Sequence, residues 1–115
     1  MLNFTSQTRL FVASEALDFR NGIDGTISIC KRRLSLDPMD GAVFIFISQN
    51  RTQIRALSYD GQGFWLCTKR LSSGKFPFWP KDKPFSQLMA EQVYALLRGG
   101  NYEEARGLAD WRKIS

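Results

Sequence analysis

Asp18, Asp24 and Asp60 are the side chains of this 115-residue sequence with the right type for metal-assisted cleavage of a phosphodiester. Such chemistry needs several carboxylates converging on one site. Each of the three also has a plain structural use. Asp60 opens an Asp-Gly turn. Asp24 suits the first turn of a helix, where a negative charge faces the positive end of the dipole. Asp18 can hold Arg20 or cap the turn that follows. A nuclease built on these three is therefore the lesser alternative. The sequence contains no His, the usual neutral-pH base and commonest metal ligand. Cys30 and Cys67 are isolated, with neither CxxC nor zinc spacing, and neither has the His partner a thiol nucleophile uses. They read as thiols buried in a cytoplasmic protein. No catalytic residue, metal site or cofactor is assigned.

The charges are more informative. The chain carries a formal charge of +5. From Arg51 to Lys83 there are seven basic residues, Arg51, Arg55, Lys69, Arg70, Lys75, Lys81 and Lys83, opposed by Asp60 and Asp82 alone. That stretch holds the whole surplus, because the remainder has nine residues of each sign. Clustered cations attract phosphates through counterion release. Arg51, Arg55, Lys69, Arg70 and Lys75 are the candidate nucleic-acid ligands, with Trp65 or Trp79 available to stack on unpaired bases. Nothing resembles a helix-turn-helix or zinc finger, so contact with the backbone is expected in preference to base-specific reading.

The elements that must position these residues follow from periodicity and turn chemistry. A short strand is expected from Arg9 to Val12. Ile23, Ile27, Cys30 and Leu34 recur at helical spacing, with Asn21 as the N-cap and Lys31, Arg32 and Arg33 in the last turn. Ala42–Ser48, Gln53–Tyr59 and Phe64–Lys69 read as strands joined by Ser48–Thr52 and by Asp60-Gly61-Gln62-Gly63. Lys75–Trp79 is expected as a fourth strand, stopped by Pro80. Lys81-Asp82-Lys83-Pro84 reads as an exposed linker and Phe85–Leu88 as a short return to the sheet. A helix over Ala90–Arg98 ends at Gly99-Gly100, and Asn101 can cap another near Tyr102–Leu108. The fold class expected is α+β: an antiparallel meander sheet of four to five strands, with two or three helices packed on one side. Residues 1–100 form one domain and 101–115 a C-terminal extension.

No apolar run approaches the roughly 20 residues that span a bilayer. The N-terminus lacks the basic and apolar regions of a signal peptide. A cytoplasmic protein without a membrane partner is expected.

Several phrases, in order, resemble one family. They are Asp18-Phe19-Arg20-Asn21-Gly22-Ile23-Asp24-Gly25; Asp37-Pro38 with Gly41, running into Phe44-Ile45-Phe46; and Tyr59-Asp60-Gly61-Gln62-Gly63-Phe64. A fourth group is Lys69-Arg70-Leu71, Gly74-Lys75-Phe76 and Trp79-Pro80. Together they resemble the second-open-reading-frame accessory protein of IS66-type insertion sequences, often called TnpB and distinct from the larger RNA-guided nuclease of that name. The resemblance covers roughly residues 9–98. It implies a bacterial mobile element with several genes, whose DNA recombination chemistry belongs to a separate transposase. The small protein would assist transposition without catalysing it. Two departures stand out. The family's C-terminal helix usually begins Thr-Pro-Glu-Gln, whereas Leu88-Met89-Ala90-Glu91-Gln92 lacks the hydroxyl cap. The family's terminal Asp-Trp pair comes late here, as Asp110-Trp111.

Two partners are thus expected: DNA, gripped mainly by its backbone, and the transposase or another protein of the same element. Sheet edges and the aromatics Phe76, Phe78 and Trp79 would supply the protein contact. A stand-alone protein-interaction module is the remaining alternative.

Overall fold

The computed structural model describes residues 4–105. Five strands and two helices follow in the order β1 (Leu10–Ala13), α1 (Ile23–Arg33), β2 (Val43–Ile47), β3 (Gln53–Tyr59), β4 (Phe64–Arg70), β5 (Phe85–Leu88) and α2 (Ala90–Leu97). Residues 102–105 are also helical. The strands form one sheet in the order β4-β3-β2-β1-β5. β2, β3 and β4 make the expected antiparallel meander, with Phe44 opposite Leu57 and Leu57 opposite Leu66. The fold is α+β and the sheet mostly antiparallel. Its one parallel pair is β1 with β2. A crossover through α1 brings β2 back beside β1 in the same direction, which a tight turn cannot do.

Helices cover both faces, not one. β2 is VFIFI and buried at every position. Val43, Ile45 and Ile47 join Leu10, Val12, Ile54, Val93 and Leu96 on the α2 face. Phe44 and Phe46 join Phe11, Leu17, Ile29, Cys30 and Leu57 on the α1 face. A strand apolar on both sides must be sandwiched, because exposing either side would forfeit roughly 25 cal/mol for every Å² left wet.

Lys75–Trp79 is not a strand. Phe76 and Trp79 both enter the α2-face core, at 1% and 7% exposure. Positions three apart point to opposite faces of a strand, so this stretch cannot be pleated and bury both. Pro77 also lacks the N–H a ladder would use. The segment instead crosses from β4, at one border of the sheet, to β5 at the other.

α1 begins one residue later than expected. Gly22 is its N-cap, with no side-chain cap bond, and Thr26 donates its hydroxyl to the Gly22 carbonyl at 2.9 Å. Ile29, Cys30 and Leu34 are buried, while Ile23 is exposed, so the buried stripe starts a turn late. α2 replaces the missing hydroxyl cap with Gln92, whose Oε1 accepts the Met89 N–H at 2.9 Å.

Gly25 is required by a close approach. A Cβ there would lie 2.7 Å from the Asn21 Cβ, an atom fixed to the backbone. We expect Gly25→Ala to destabilise the fold by about 1 kcal/mol or more, overpacking outweighing the gain in helix propensity. With Asn21→Gly already in place the same change should stabilise by about 0.5–1 kcal/mol. Urea denaturation of the four combinations checks this, and equal effects in both backgrounds would refute the clash.

Candidate nucleic-acid interface

Strand direction sorts the charges. The pairings bring the carboxyl ends of β1, β2 and β4 together with the amino ends of β3 and β5 at one end of the sheet. The 48–52 turn and the 71–84 crossover lie there. Arg51 belongs to that turn, Lys69 and Arg70 to the last residues of β4, and Lys75, Lys81 and Lys83 to the crossover. α2 starts beside the opposite end, after β5, and finishes at this one, where Lys69 Nζ donates to the Leu97 carbonyl. Arg98 therefore joins the group. Asp60 occupies the β3–β4 turn at the far end, and Asp40 precedes β2 there.

The crossover is anchored from within. The Trp79 indole N–H donates to the Ala13 carbonyl at 2.8 Å. The Phe76 N–H donates to the Arg51 carbonyl at 2.8 Å, and Arg51 Nε returns a bond to the Phe76 carbonyl at 3.2 Å. Leu71 N–H reaches the Thr52 carbonyl, and Ser14 N–H the Pro84 carbonyl. With Phe76, Trp79 and Pro80 turned inward, Lys75, Phe78, Lys81 and Lys83 are left exposed.

The five candidate cations do not share one role. Arg51 spends Nε on the crossover, leaving its terminal nitrogens without a protein partner among the described residues. Lys69 caps the free carbonyls of α2, where a cation also favours the helix dipole. Arg70 and Lys75 are exposed and, among the described residues, make no side-chain bond or ion pair. Arg55 stands apart. Its Nη1 donates to the Asn21 carbonyl at 2.6 Å and its Nη2 to Phe19 at 3.0 Å. Its Nε reaches Thr68 Oγ1 at 3.4 Å, and the guanidinium sits 4.2 Å over the Phe19 ring. Desolvation by burial lowers its pKa. Arg55 clamps the 17–22 loop to the sheet, which commits its guanidinium to the fold. Sequence reasoning gave no role to Arg98, which only the fold brings here, and counted Lys81 and Lys83 in the charge surplus without naming them as ligands.

The family phrases have structural uses. Asp18 accepts the Arg20 backbone N–H at 3.0 Å and a two-pronged guanidinium contact, its closest bond 2.7 Å. Arg20 thereby holds the carboxyl down at about 2. Asp24 lies in the first turn of α1, beside Gly22 and Gly25. Asp60 accepts N–H bonds from Gln62 and Gly63 at 2.9 Å, and one from the Trp65 indole at 2.7 Å. Those bonds lower its pKa, Gly63 contributing most. Gly61 supplies the positive φ of the turn. Asp18 and Asp60 thus sit in separate local networks. Among the described residues no group of three His, Cys, Asp or Glu could hold a metal ion. Burial pushes the Cys30 thiol up to about 12, which keeps it protonated and unreactive at neutral pH. Trp65 is 61% exposed and Trp79 is core.

Because Arg55 satisfies two loop carbonyls at once, Arg55→Lys should cost about 1.5–3 kcal/mol in chemical denaturation. Affinity for a polyanion should be unchanged. A stable variant that loses that affinity would return Arg55 to the binding surface.

The profile of the family described as "IS66 Orf2 like protein" matches residues 8–107. Two proteins of Sinorhizobium fredii are similar. The uncharacterized protein y4jC is 33% identical over 106 residues, covering 92% of this chain and 83% of its own. The uncharacterized protein y4hO is 34% identical over 80 residues, covering 70% and 69%. No solved structure matches the chain. No helix among the described residues is long and apolar enough to cross a membrane. The Asp110-Trp111 pair lies outside the described residues, as does the helix expected near Tyr102–Leu108 beyond residue 105. The order of the Asp18–Gly25, Tyr59–Phe64 and Trp79-Pro80 phrases and the span of the match agree: the chain belongs to the IS66 Orf2-like family, the small transposition-associated accessory proteins of IS66-type insertion sequences.

Proposed function

We propose that this protein is a non-catalytic cytoplasmic accessory factor that grips DNA by its sugar–phosphate backbone at the cationic end of its sheet. One observation carries the reading. The three ion pairs among the described residues, Arg9–Asp40, Arg20–Asp18 and Arg33–Glu15, all use cations from outside the 51–83 stretch. No cation of that stretch enters an ion pair among the described residues, and six of the seven share one end of the sheet, where Asp82 is the stretch's one acidic residue. Backbone contacts of this kind position a protein on DNA without reading sequence. They suit a helper whose element encodes its recombination chemistry elsewhere.

A second contact is favoured by a separate feature. β4 is one of the two border strands, seven residues long, and nothing among the described residues pairs with its outer side. Such a border accepts an extended segment of another protein by strand addition. The transposase, or another protein of the element, is the partner proposed for it.

Fluorescence anisotropy with duplex DNA between about 50 and 200 mM salt tests the DNA reading. Each phosphate neutralised contributes about −0.9 to the slope of log affinity on log salt. The double change Arg70→Glu with Lys75→Glu should lower affinity at least tenfold and flatten the slope by about two. No binding even at low salt, or an unchanged slope, would refute it. Co-purification with the transposase of the same element checks the strand-addition reading, which fails if the two do not associate with or without DNA.

A further inference from the structure

Behind the 77–81 part of the crossover lies a cleft of about 450 Å³. Its lining includes Arg51, Phe78, Lys81, Asn101, Tyr102 and Glu103. That volume lies within the range of small-ligand sites, on the order of 300–1,000 Å³. Phe78 is the anomaly of the crossover. Its neighbours Phe76 and Trp79 are buried and hold the segment down, yet Phe78 is 41% exposed and contributes to neither core cluster. Tyr102, half-buried, places a second ring in the lining. Asn101 uses its Oδ1 to accept the Glu103 N–H at 3.0 Å, which leaves its amide hydrogens to donate elsewhere. Arg51 and Lys81 outnumber the one lining carboxylate, Glu103. Lys75 and Lys83 stand on the same crossover.

Accessible rings beside a surplus of cations form a combination that holds unpaired bases. The π-face stacks on any base while the cations follow the phosphates. We propose that this cleft takes an unpaired nucleotide of a DNA strand, its base stacked on Phe78 and its phosphate held by Arg51 and Lys81. The inference rests on the backbone-binding reading above and narrows its ligand. Bases within a duplex are stacked on one another and present no free face. The protein therefore prefers single-stranded or frayed DNA, for which it provides a platform as well as charge.

The test is fluorescence anisotropy of the full chain with three labelled probes: a short oligothymidylate, an abasic strand of equal length, and a duplex. The oligothymidylate should bind about tenfold tighter than the abasic strand. Phe78→Ala should reduce it to the abasic level and leave duplex affinity unchanged, while Phe78→Trp should retain the preference. Because Phe78 is exposed, these variants should fold, and circular dichroism verifies it. Equal affinity for thymidine and abasic strands, with the duplex still bound, overturns the cleft proposal alone. No binding of any probe at low salt overturns the backbone reading with it. A proline-rich peptide that binds the cleft with no dependence on bases would assign it to protein and overturn the proposal equally.

Discussion

Burial of Phe76 and Trp79 fixes the path on which the functional surface depends. The segment from Leu71 to Pro84 has no strand or helix of its own, and a stretch of that length is costly to order by hydrogen bonds alone. Two large rings sunk in the α2-face core supply the missing free energy, on the order of a few kcal/mol each. The bond from the Trp79 indole to Ala13 then sets the register. With those rings and Pro80 inward, the other residues of the stretch beyond Leu71 are left on the outside. Lys75, Phe78, Lys81 and Lys83 owe their exposure to that anchoring.

Charge segregation is the second consequence of topology. Strand direction alone puts the carboxyl ends of β1, β2 and β4 together, and with them the turn and crossover that carry the cations. Asp60 is sent to the far end because its tight turn must join β3 to β4 there. A molecule polarised in this way presents phosphate with its positive end first. Lys69 serves the fold as well, since its bond to the last turn of α2 delivers Arg98 to the same place.

Much of this was legible in the residues. Turn chemistry around Asp60-Gly61 and the apolar run at Val43–Ile47 specified the β2–β4 meander, because both signals are local. The confinement of net charge to 51–83 was equally plain. What stayed hidden was non-local. Lys75–Trp79 looks like a strand by composition, and only the need to bury both Phe76 and Trp79 rules it out. Arg55 looks like its neighbouring cations, yet its bonds lie 34 and 36 positions away, at Asn21 and Phe19. The covering of both faces was implicit in β2, whose alternate residues are equally apolar, but the helices that provide it come from opposite ends of the chain. Ile23 shows the limit of spacing arguments: it keeps the helical period and still faces water, because α1 meets the sheet a turn later.

The pairing of β1 with β5 joins residues separated by most of the chain, Leu10 lying opposite Leu88. β1 is translated well before β5 and is thus among the last strands to find both neighbours. Until β5 emerges, β1 presents a bare row of amide and carbonyl groups beside fully apolar side chains, a template for promiscuous association. Any product cut short before residue 85 carries that wound permanently. Completion of β5 thus covers an edge of the kind that invites aggregation.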